Sequence, residues 1–175
     1  MNTRCGAGAV GAIVLAGSLV GCGNMVQTEI TGMAGVVLDA QGRLVLVVEP
    51  CGGAFDRITV SALDRPQNSP EVTNTTLLTL TSSSPQSSRF TVDPGAPTAP
   101  WSADRPLSLR EAHRAVIDVS STTAQRATTP VEVSDAAYEK LAEGDVLVRQ
   151  GEVWTRAQFD DRACRPDTWP TVSAS

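Results

Sequence analysis

His113 is the sole histidine of this 175-residue chain, so a Ser-His-Asp relay is the first chemistry to weigh. Such a relay needs a serine presented to the imidazole and an acid behind it. The chain has no G-x-S-x-G elbow, and Asp118, five residues on along the same expected strand, would not point at the ring. His113 is therefore expected as a partly exposed residue at the start of a strand. Ser-x-x-Lys chemistry fails because Ala137 stands three positions before Lys140, the single lysine. Asp135, Glu139, Glu143 and Asp145 gather around one expected helix, with Asp160 and Asp161 on another. Acids on exposed helices are ordinarily solvated, and no D-x-[DN]-x-[DN]-G loop marks a calcium site. Paired acids for glycoside hydrolysis stay open, although aromatics, the usual sugar platforms, make up only 4% of the chain. Gly6-Ala7-Gly8-Ala9-Val10-Gly11 spells G-x-G-x-x-G with no strand before it, and reads as a chance match. No catalytic, cofactor-binding or metal-ligating residue is predicted, and the chain is not expected to be an enzyme.

Leu19-Val20-Gly21-Cys22 follows a start with one charge, Arg4, and a small-residue and aliphatic run from Cys5 to Val20. That run is too short to span a bilayer comfortably. The segment resembles the signal peptide of bacterial lipoproteins, in which the lipobox cysteine is modified with diacylglycerol and the leader is removed before it. The new amino terminus is then usually acylated. The resemblance covers about the first two dozen residues. It implies that residues 1–21 are a leader, that Cys22 is the lipidation site carrying palmitate-like chains, and that the protein sits on the outer face of the cell membrane. Each buried methylene contributes about 0.8 kcal/mol, so two or more chains make release negligible. The bland alternative is an ordinary cleaved signal, or an uncleaved anchor, with a chance cysteine.

With Cys5 removed and Cys22 acylated, as that resemblance implies, Cys51 and Cys164 remain. An exported pair with no third cysteine is expected as a disulfide. A redox-active pair is disfavoured because there is no C-x-x-C spacing. One histidine without free thiols does not make a usual zinc set. The 154 residues after the leader suit one domain. Loss of Arg4 takes the net charge from −5 to −6, which argues against nucleic acid or anionic headgroups as partners. Arginine almost everywhere in place of lysine suits a GC-rich genome, and with it an actinobacterial source.

Residues 22–31 read as a short lipidated tether, residues 32–164 as a β-rich globular domain and residues 165–175 as a loose tail. Met33 to Leu38 and Arg43 to Glu49 flank Asp39-Ala40-Gln41-Gly42, a hairpin turn signal. Leu44 to Val48 is apolar without alternation, as in a strand covered on both faces. Arg57 to Leu63, Thr75 to Thr81, Arg89 to Val92 and Arg114 to Val119 alternate as half-buried strands. Between them lie a Ser-rich connector, Thr81 to Ser88, and a Pro-rich segment, Pro94 to Pro106, in which Trp101 is expected to lie over the core edge. A Ser/Thr loop to Thr129 precedes a short edge strand, Pro130 to Val133. Ser134 offers an N-cap for a helix from Asp135 to Ala142. Val146 to Arg149 and Glu152 to Trp154 form a hairpin around Gln150-Gly151, and Thr155 with Gln158 makes a capping box for a last helix. Seven to nine strands and two short C-terminal helices predict a mainly β fold, a single-domain β-sandwich or barrel-like sheet.

These features lead to a membrane-anchored cell-envelope protein, a non-catalytic binding or scaffolding module held by the lipid on Cys22. Its partner would be a membrane-proximal envelope protein or lipid. Two further readings remain: a lipid or glycolipid carrier, which needs an apolar cavity of some hundreds of Å³, and an envelope hydrolase, which needs His113 near a serine and an acid in a cleft. The oligomeric state is not legible in the sequence.

Overall fold

The computed structural model describes residues 28–64 and 73–169. The expected leader with Cys5, the expected lipidation site Cys22, and residues 170–175 lie outside that range. Eleven strands among the described residues form one sheet. In chain order they are β1 (Glu29–Leu38), β2 (Leu44–Glu49), β3 (Phe55–Asp64), β4 (Thr73–Gln86), β5 (Phe90–Val92), β6 (Trp101–Ala103), β7 (Arg114–Ser120), β8 (Arg126–Thr129) and β9 (Val131–Ser134). A one-turn helix, α1 (Asp135–Tyr138), leads to β10 (Asp145–Leu147) and β11 (Val153–Thr155), and α2 (Arg156–Arg162) follows directly.

The first hairpin forms where its turn residues predict. Gly42 takes φ 72°, its N–H donates to the Asp39 carbonyl at 2.9 Å, and the Asp39 carboxylate accepts from the Gln41 and Arg43 amides. A side chain that satisfies its own turn in this way sets the register of both strands. Around the sheet the order runs β6, β4, β3, β7, then β8 and β9, then β1, β2 and β5. Phe90 of β5 lies against Trp101 of β6 with ring centroids 5.2 Å apart. The two ends of the sheet thus return to one another, and the molecule is a nearly closed barrel with two helices.

Alternation decides what fills it. Ile58 and Val60, Leu78 and Leu80, Ile117 and Val119, and Leu46 and Val48 all point into one core cluster, as period-two side chains on a curled sheet must. The opposite face of β1 and β2 supplies Met33 and Val47 to a second cluster with Val146, Val148, Trp154, Phe159 and Ala163. β10, paired with β1, sends Leu147 to the inner core and Val146 and Val148 to this second cluster, which α2 covers from outside. That is why Leu44 to Val48 carries no polar residue: both faces of β2 are covered. Gly35 lets β10 approach, since a Cβ there would overlap Val146 Cγ1.

Several expectations need correction. β1 begins at Glu29, inside the expected tether. In the described part of the expected loose tail, Pro166–Thr168 form a 3-10 turn and Trp169 packs on the second cluster, donating its indole N–H to the Ala163 carbonyl at 3.0 Å. β4 runs to Gln86 and absorbs most of the Ser-rich connector. The Pro-rich segment contains β6, so Trp101 starts a strand as well as closing the core edge, at 6% exposure. The Ser/Thr loop contains β8, which lies parallel to β1. β9 is the expected edge strand, shifted by one residue and paired with β7 alone, with its free side toward the turn at residues 149–151. α1 stops at Tyr138, four residues before the expected Ala142, because the chain turns there to bury Leu141.

Candidate functional site

The expected disulfide is present: Cys51 and Cys164 are bonded, with Cα atoms 5.2 Å apart. Cys51 sits in the turn after β2, at φ 51°, where the Gly53 N–H donates to the Pro50 carbonyl at 2.9 Å. A left-handed backbone at a non-glycine residue is uncommon, and here the cross-link to the residue just beyond α2 holds it. Glu49, Cys51 and Cys164 are the one group of potential metal ligands that converges among the described residues. The sulfurs are bonded to each other, so the group offers no thiolate. Beside the disulfide, Arg89 Nε meets Glu49 Oε2 at 2.7 Å and Arg89 Nη1 meets Asp160 Oδ1 at 2.8 Å. The guanidinium also lies over the Phe159 ring, 5.9 Å from its centroid. Burial alone would lower the Arg89 pKa, and the Glu49 carboxylate, seconded by Asp160, raises it above its ordinary value. The cross-link, the ion pairs and the ring together fasten α2 to the end of β2.

His113 lies just before β7 with its side chain 79% exposed, more open than expected. Its Nδ1 is 3.2 Å from Asp135 Oδ2, so its acid is Asp135 and not Asp118. Asp160 and Asp161 lie on α2, pairing with Arg156 and Arg165, but α1 ends before Glu139 and Glu143, and Asp145 instead begins β10, where its Oδ2 accepts from the Ala142 amide. Tyr138 donates its hydroxyl to the Leu109 carbonyl at 3.0 Å, and burial, with the charge of Asp135 added, pushes its pKa well above the ordinary phenol value.

Asp118 stands on the outer face of β7 between Ile117 and Val119, which point inward. Burial raises its pKa above the usual carboxylate value. A carboxylate that is harder to ionise in the folded than in the unfolded chain subtracts stability as pH rises through that window. Asp118→Asn is expected to be more stable than the parent at pH 7 and equal to it once pH falls below the ordinary carboxylate range. Thermal unfolding at the two pH values checks this, and a less stable variant at pH 7 contradicts it.

Clefts open to solvent occur among the described residues, two of them with charged side chains in their walls. One, of about 290 Å³, is lined by Gly42, Arg43, Asp93, Gly95, Ser108 and Arg110 among others. Its Arg43 is already held by Asp39 and Asp93 at 2.7 and 3.0 Å. The other, of about 200 Å³, is lined by Arg114, Glu132, Val133, Ser134, Gln150 and Gly151. The first also has Leu44 and Ala96 in its wall, while the second has mainly charged and polar walls. The sequence reading singled out neither, because their walls come from segments far apart in the chain. Comparison with family models, curated protein sequences and solved structures found no match.

Proposed function

We propose that this chain is a lipid-anchored cell-envelope protein whose barrel is a non-catalytic binding or scaffolding module. The observation that carries the reading is Leu19-Val20-Gly21-Cys22 behind an apolar run with one charge. The disulfide supports it, since such cross-links form and persist in exported proteins. Six residues separate Cys22 from Glu29, where β1 begins, a reach of about 25 Å when fully extended. The barrel would then work close to the bilayer, on a partner at or near the membrane surface. Fractionation of the host tests this. The parent is expected in the membrane fraction and Cys22→Ala in the soluble fraction or the medium. Equal retention of both would overturn the anchored reading.

A further inference from the structure

The second cleft lies where the wall of the barrel divides. β9 pairs with β7 on one side, and on the other it faces the turn that joins β10 to β11. The register places Arg114 opposite Ser134 and Val116 opposite Glu132. Directly opposed residues of an antiparallel pair share a face, so Arg114, Ser134 and Glu132 all stand on the outer face of the barrel, beside the turn. Arg114 and Glu132 are diagonal neighbours whose side chains are long enough to meet. They do not form an ion pair, and both line the cleft. Ser134 Oγ accepts from the Ala137 amide at 3.2 Å, which leaves its O–H free to donate.

The turn adds a further group. Gln150 and Gly151 take φ 52° and 76°, and the Glu152 N–H donates to the Arg149 carbonyl at 3.1 Å. The register of β10 with β11 leaves three residues, 149–151, in the connection, and the left-handed backbone at Gln150 is one that glycine, asparagine and aspartate adopt most readily. Glutamine breaks that preference at the position where its side chain lines the cleft, and local rules tend to be broken where a site needs the side chain. The adjacent Arg149 Nε is buried without a hydrogen-bond partner, an uncommon state for a buried donor.

From this arrangement we infer that the cleft binds a small zwitterion of amino-acid or dipeptide size. Arg114 takes the carboxylate, Glu132 takes the ammonium, and Ser134 and Gln150 serve the polar groups between them. The site names a ligand class for the binding module proposed above and rests on that reading, although not on the anchor. Isothermal titration of the protein, purified from whichever host fraction holds it, membrane or medium, tests it with glycylglycine, N-acetylglycine and glycinamide. Glycylglycine is expected to saturate with Kd of about 1 mM, and each of the other two, lacking one charge, to bind at least about tenfold more weakly. Arg114→Gln and Glu132→Gln, both at exposed positions, are expected to cut glycylglycine binding by about tenfold each without moving the unfolding midpoint. The inference is overturned if glycylglycine shows no saturation up to about 20 mM. It is overturned equally if the three probes bind alike, or if both variants bind as the parent does. Protein that stays with the membrane but fails this titration loses the cleft alone; protein that titrates but escapes to the medium loses the anchor alone.

Discussion

Replacing Cys51 and Cys164 together by alanine lowers the unfolding free energy by about 3–5 kcal/mol in an oxidising buffer. The bond joins residues 113 apart, and in the chain-entropy model a 100-residue loop accounts for about 4.7 kcal/mol. The upper figure applies if all of the effect lies in the unfolded chain. Residual structure there reduces it. An ordinary domain is stable by only about 5–15 kcal/mol, so the double variant loses a large share of its margin. Reduction of the parent should reproduce most of the loss. Chemical denaturation of parent, reduced parent and double variant measures it, and a change below about 1 kcal/mol would mean that the ion pairs around Arg89 fasten α2 without help.

The second large effect is expected at Phe159. Its side chain is fully buried in the outer cluster with Met33, Val47 and Trp154, and Arg89 lies over its ring. Removing a buried aromatic side chain costs about 3–5 kcal/mol, the larger part where the cavity cannot collapse. Here Gly35 and Val146 come from paired strands and cannot follow. Phe159→Ala should therefore fall near the upper half of that range. It should also speed hydrogen exchange in α2 and the β10–β11 hairpin before the other strands of the barrel. Uniform loss of protection throughout the molecule would show instead that the outer cluster and the barrel fold as one unit.

How much of this was legible depends on whether the deciding interaction is local. The β1–β2 hairpin follows from Asp39 and Gly42, whose bonds close within five residues. The last helix follows from Thr155 and Gln158, which bond each other's amides at 2.9 and 3.2 Å. The disulfide followed from counting cysteines once the leader was set aside. By contrast, β8 consists of Arg126-Ala127-Thr128-Thr129, a stretch with a loop's composition, and becomes a strand because β1, almost 100 residues earlier, lies beside it. β6 similarly borrows its pairing from Leu80 to Ser82. Three or four residues carry too little period to outweigh their neighbouring prolines and serines. The cleft at β9 was hidden for the same reason: Arg114, Glu132 and Gln150 have no motif in common and meet only through the register of β7 with β9 and the return of the β10–β11 turn.

The most direct test of the lipid-anchored reading is the intact mass, under non-reducing conditions, of the protein isolated from the membrane of its host. A chain beginning at Cys22, heavier by its acyl groups and lighter by two hydrogens for Cys51 and Cys164, is the predicted result. An unacylated chain would contradict it, leaving the barrel held by an uncleaved anchor if residues 1–21 are retained and a secreted domain if the chain begins elsewhere.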